Sequence, residues 1–318
     1  MPRKSATQKP STRTSAPKYP TLEHVDSDYQ TYVRAPLSSS WATARRAISS
    51  LWQQREFFVG LAVVYLLLDL LFVQSLAQFD VSKIKVALNM PDSLHPNILS
   101  QAFGVYSSLF TKAATGSNDA GGAYHFFIVT LISLVTIYAL RHIYGTKSKR
   151  VQPLDLKQSI YQSTGQLVPF LLVMGIMAVQ LLPMIAAFYL YMIMVSGSII
   201  TAASQQTVAV LILIIISVLT AFWIARTIIA LYIATLPNMR PMEAFSKAKE
   251  LVNGRRFSVG RKILALPVGL FVAAAIIVVP CLLLWGPLAQ WVFFMLTGFG
   301  VIVVHAYLYT LYRELLGE

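Results

Sequence analysis

Hydrophobic positions in this chain fall in long unbroken blocks, not in alternation. Six blocks stand out, near 57–79, 124–144, 168–200, 207–236, 263–285 and 290–312. A block of about 20 residues, at ~1.5 Å per residue, crosses a hydrocarbon layer of ~30 Å as a helix. Within lipid every backbone N–H and C=O needs a partner inside its own segment, and these blocks are apolar all round. That favours helices and excludes the alternating strands of a barrel. The pattern therefore predicts an all-α polytopic membrane protein with six spans. The block at 168–200 is too long for one upright crossing and too short for two, and Pro183 should kink it. GPLAQ joins the last two blocks so tightly that they must form an antiparallel hairpin.

Between the blocks lie shorter amphipathic stretches. Pro36, Pro153 and Pro241 are each followed by a segment with apolar residues at helical spacing, and each segment precedes a pair of spans. Proline suits a first helical turn, where its missing N–H costs nothing. The expected plan is three units, each an interfacial helix followed by two spans. In the first helix Trp41, Ala44, Ile48 and Leu51 share a face, with Arg45, Arg46 and Arg55 outside it. In the third, Phe245, Ala248, Leu251 and Val252 are expected to face the membrane, and Gly254 to end the helix in the left-handed conformation. In the long loop 80–123, Ile98, Ala102, Tyr106 and Leu109 form an uncharged face expected on the outer leaflet. Residues 1–35 lack any apolar core and read as a disordered basic cytoplasmic tail ahead of a membrane domain at 36–318.

Charge fixes the expected orientation. Alternate assignment of the loops puts nine Lys and Arg in the N-terminal region, five in the 141–167 loop, seven in the 237–262 loop and one at the C-terminus, 22 in all. The opposite side holds only Lys83, Lys85 and Lys112. By the positive-inside rule both termini are cytoplasmic, in a multi-pass protein of the cell membrane. The net charge of +13 is thus largely a topology signal, not a sign of nucleic-acid binding. The whole-chain balance agrees: 56% hydrophobic, 12% charged, mean hydropathy +0.62. Arg45, Arg46, Arg255, Arg256, Arg261 and Lys262 are expected at headgroup level, in contact with anionic lipid.

Candidate chemistry is sparse. Cys281 is the only cysteine, and the five histidines show no metal-ligand spacing, so no disulfide framework, metal or cofactor is expected. HExxH, GxSxG with partners and paired acids are absent, which argues against an intramembrane enzyme. An ionisable residue within a span is costly unless partnered. Asp69 lies roughly 18 Å past Phe57, and Arg226 roughly 16 Å before Pro237. Equal depth and opposite charge predict that they pair, with Gln74, Gln180 and His305 extending a polar seam.

The third unit carries a family resemblance. Glu243-Ala244, Glu250-Leu251-Val252, Gly254-Arg255-Arg256 and Phe257, after a span ending in Arg226 and ALYIATLP, resemble the membrane domain of the glycerophosphodiester phosphodiesterase family. Related six-to-eight-span bacterial proteins share that pattern. The family usually has serine where Ala248 stands and tryptophan where Lys249 and Phe257 stand. The motif covers about 40 residues, and beyond it the likeness is one of hydropathy. Catalysis in those enzymes belongs to a separate metal-binding barrel, for which this chain has no room. The resemblance thus implies the membrane fold and no hydrolase activity. The expected role is a non-enzymatic membrane scaffold or accessory factor. The alternative is a small transporter or lipid-handling protein with a polar pathway near Asp69 and Arg226.

Overall fold

The computed structural model describes residues 37–79, 81, 104–109, 120–145, 154–197, 202–237 and 239–317. The expected tail, together with Pro36, Pro153, Ile98 and Ala102, lies outside them. Nine principal helices order the described chain: α1 Ser40–Gln53, α2 Arg55–Leu68, α3 Ala120–Gly145, α4 Leu156–Ser163, α5 Leu167–Ser196, α6 Ala203–Ala234, α7 Pro241–Val252, α8 Arg256–Leu284 and α9 Gly286–Leu315. Among the described residues there is no strand. Among the described residues six helical stretches are long and apolar enough to cross a membrane: Arg55–Val73, Gly121–Gly145, Leu156–Ser196, Ser204–Ala234, Arg256–Leu284 and Gly286–Leu315. They belong to one compact unit, Leu37–Glu318.

The ends of these elements follow local rules. Ser39 caps α1 by accepting from the Ala42 N–H at 3.2 Å, and Asp155 caps α4 by accepting from Lys157 N–H at 3.3 Å. In these two helices the cap, and not the proline upstream, sets the start. In α7 Pro241 itself is the first residue. Gly254 adopts φ +76° just after α7, in the left-handed region that glycine enters without a Cβ penalty. Trp285 alone separates α8 from α9, which gives the tight hairpin expected there. Helix α5 runs unbroken through Pro183.

Two boundaries depart from expectation. Helix α8 starts at Arg256, so Arg261 and Lys262 belong to its first turns and not to a loop. The first span does not continue evenly to 79. It passes into a π-helical turn, Asp69–Val73, breaks at Gln74, and restarts as a short helix, Ser75–Gln78.

The three short helices dock in one manner. Helix α1 packs on α9, α4 on α3, and α7 on α6, so each seats on a second span of a pair. The docking faces are built of small residues at helical spacing: Thr43, Ala47 and Ser50 in α1, Ser159 and Ser163 in α4, Ala244, Ala248 and Val252 in α7. Small side chains let backbones approach closely. For α7 this corrects the expected membrane stripe. Ala248 and Val252 face protein, and Met242 and Phe257 are the exposed apolar groups around it. On α1 the expected face of Trp41, Ala44, Ile48 and Leu51 is exposed at Trp41 and Ile48, 80% and 55%, and half-buried at Ala44 and Leu51, while Trp52, not part of that expected face, is 69% exposed.

The C-terminal ends of α3, α6 and α9 converge. Arg141 on α3 donates to the Thr235 carbonyl at 2.5 Å and its hydroxyl at 2.6 Å, at the C-terminus of α6. Arg313 on α9 donates to the Tyr144 carbonyl at 3.3 Å, at the C-terminus of α3. A cation at the negative end of a neighbour's helix dipole is favourable, and the last carbonyls need donors. Tyr232, Tyr309 and Tyr312 pack ring on ring between these ends. The far ends differ. Much of α5, α6 and α8 there carries large apolar side chains exposed on the surface of the bundle.

The loop segment 104–109 is helical and turns inward. Tyr106 and Leu109 are fully buried, and the Tyr106 hydroxyl donates to the Phe271 carbonyl at 2.6 Å. These two residues pack against the bundle instead of lying on a leaflet.

Candidate functional site

The expected Asp69–Arg226 pair is not what the structure holds. Asp69 is buried, 1% exposed, and its carboxylate is met by the Ser75 hydroxyl and by His125 Nδ1 at 3.3 Å. Arg226 lies on α6, partly exposed, and makes no ion pair among the described residues. The reason is lateral, not vertical. The π turn holding Asp69 packs against α2 and α3, whereas α6 packs mainly against α5, α7 and α8. Two residues at one depth can sit on opposite sides of a bundle.

The expected seam also separates. Gln180 accepts from the Thr227 hydroxyl at 2.6 Å within the α5–α6 hairpin. His305 Nδ1 lies 2.9 Å from the Tyr232 hydroxyl, beside the tyrosine cluster. Gln74 is exposed and serves through its backbone. It takes φ +54°, rare outside glycine, and its N–H donates to the Asp69 carbonyl at 2.8 Å, closing the π turn.

His125 is the residue that sequence reasoning missed. It stands near the start of α3, and 32% of its side chain is exposed. The Asp69 carboxylate lies between Ser75 and His125, one oxygen to each. Ser75 therefore donates to the acid and not to the imidazole. Tyr65 sets its ring edge toward His125, centroids 6.5 Å apart. Gln290 on α9 ties down the restarted helix by donating to the Leu76 carbonyl at 2.7 Å. The arrangement sets one imidazole beside a buried carboxyl group.

A second polar cluster sits at the end where the short helices dock. Lys262 Nζ donates to Glu314 Oε2 at 2.8 Å and lies 3.2 Å from the Thr43 hydroxyl. Glu314 also accepts from the Ser38 backbone N–H and, at 3.2 Å, from Thr43 Oγ1. Lys262 is only 4% exposed, so it is a buried ion-pair partner and not a headgroup contact. The cluster clamps α1 to both helices of the last hairpin. Tyr307 adds to it, donating to the Lys262 carbonyl at 3.2 Å.

The remaining basic residues divide by exposure. Arg45, Arg46, Arg256 and Arg261 are exposed, and Arg255 is half-buried. Arg55 stacks over the Trp52 ring, 5.8 Å from its centroid.

No family model, curated protein or solved structure matches this chain. The likeness to the glycerophosphodiester phosphodiesterase membrane domain stands on the residues of the third unit alone.

Proposed function

We propose that this chain is a non-enzymatic integral membrane protein, a scaffold or accessory factor that gathers anionic lipid beneath it. Its basic end faces the cytoplasm on this reading, and α1, α4 and α7 lie in the headgroup layer. One observation supports this best. Helix α1 has two distinct faces: Thr43, Ala47 and Ser50 seat it on α9, while Trp41, Ile48 and Trp52 point outward beside Arg45, Arg46 and Arg55. Exposed tryptophan with arginine on a docked helix suits the boundary between acyl chains and headgroups. Arg256 and Arg261, next to the exposed Phe257, repeat the combination on α8.

The test is retention of phosphatidylglycerol over phosphatidylcholine, read by native mass spectrometry of the full chain released from mixed bilayers. Each surface arginine is worth about 1 kcal/mol toward an anionic leaflet. Arg45→Gln with Arg46→Gln should lower the preference about 30-fold. Unchanged retention overturns the proposal. It would leave the second reading, a small transporter or lipid-handling protein. One observation favours that reading: the first span breaks at Gln74 beside the buried Asp69. Interrupted helices at a buried charge recur in transporters. Arg226 has no part in it.

A further inference from the structure

We propose that Arg226 holds the phosphate of a single membrane phospholipid, in a niche between α6 and the start of α8. This rests on the lipid reading for one point only, that this end of α8 lies at the headgroup layer. Arg226 is a cation inside a span. It stands two turns before Ala234, the last residue of α6, about 12 Å from that end. It is partly exposed, and among the described residues no carboxylate meets it. A charge within a span is costly without a partner of opposite sign.

Helix periodicity places it. Residues four apart share a face, so Arg226 continues the face of Phe222. Phe222 packs on the first two turns of α8. Its ring stacks on Phe257 with centroids 5.9 Å apart, and a Cβ at Gly260 would meet it at 2.8 Å. The C-terminal ends of α6 and α9 lie together and α8 runs against α9, so α6 and α8 are antiparallel. One turn beyond Phe222, Arg226 therefore comes level with the start of α8, where Arg256 is exposed. The niche opens on the apolar surface of the bundle. Trp223, on the turn before Arg226, is 51% exposed, and Phe257 is 70% exposed. Leu219 on α6 and Val268 on α8 extend these faces away from the two arginines and are exposed as well. An anion that enters from this side has to bring apolar chains with it. A glycerophospholipid does so: its phosphate lies between Arg226 and Arg256, and its acyl chains run along Leu219 and Val268. The planar fork of a guanidinium matches two phosphate oxygens at once.

The experiment takes the full chain from bilayers of phosphatidylglycerol or of phosphatidylcholine and strips its lipid stepwise in native mass spectrometry. One phospholipid of either class should outlast the rest, because both carry the phosphate. Arg226→Gln should lower the occupancy of that last lipid about tenfold or more, the usual effect of losing one charged hydrogen-bond partner. Arg256→Gln, at an exposed position, should lower it too. Arg45→Gln with Arg46→Gln should leave it in place, whatever that pair does to the preference for phosphatidylglycerol, so the two readings fail separately. Native occupancy in either the Arg226 or the Arg256 variant overturns the proposal. So does a native chain with no slow-leaving lipid, or a lipid displaced by inorganic phosphate alone. If Arg226→Gln fails to fold, Arg256→Gln decides alone.

Discussion

The two halves of α6 are differently built and differently used. From Val208 to Leu219 the large side chains mostly lie on the outside of the bundle, with Leu211 and Ile215 each 57% exposed. From Ala225 to Thr235 nearly all are covered, and Ile229, Ala230 and Ala234 are fully buried. Both halves belong to one span, and burying an apolar side chain against protein gains little over lipid, because lipid tails are as apolar as leucine. What distinguishes them is side-chain size and polarity. The packed half alternates alanine and threonine with larger residues, and it meets α7, α9 and the arginine of α3. The outer half, apart from Ala209 and Ser217, is all valine, leucine and isoleucine. Helices in a membrane associate through close packing and interhelical hydrogen bonds, so a run of bulky apolar residues calls for no protein partner.

The contrast can be broken most severely at the clamp. Lys262→Met leaves Glu314 buried without its cation, and should cost about 3–5 kcal/mol against unfolding in mixed micelles. Adding Glu314→Gln should recover most of that loss. If Lys262→Met alone unfolds like the native chain, the clamp is not a stabilising contact. Next comes the packed half of α6. Ile229→Ala removes a fully buried side chain from a close-packed site, and should cost about 2–5 kcal/mol. The smallest effect belongs to the outer half. Ile215→Ala, the same chemical change on the same helix, should alter stability by no more than about 0.5 kcal/mol. Equal losses at the two positions would mean that the outer half is also covered by protein, and the contrast would fall.

Much of the fold was legible because hydrophobic length is a strong signal. All six spans, the Gly254 turn and the α8–α9 hairpin were readable from spacing alone. What spacing hid was lateral position. The depths of Asp69 and Arg226 agree, yet depth along an axis carries no information about which helix stands beside which. Lys262 was misplaced because α8 begins earlier than its apolar block, and a basic residue in the first turns of a helix looks like a loop residue. The inward faces of α1 and α7 were hidden for a related reason. Threonine, alanine and serine read as weakly polar filler, although in a membrane they mark where backbones meet. His125 could have been found. It lies inside the second block, and the rule that singles out Asp69 and Arg226 covers it too.

The seat of α1 on α9 has a consequence for biogenesis. The earliest helix described here rests on the latest, so its binding site does not exist until the final span has left the ribosome and been inserted. Until then the Thr43, Ala47 and Ser50 side of α1 has no seat on α9. The contacts that complete the seat therefore join the two ends of the described chain: Lys262 and Glu314 pair within the terminal hairpin, and Thr43 and Ser38 meet them there.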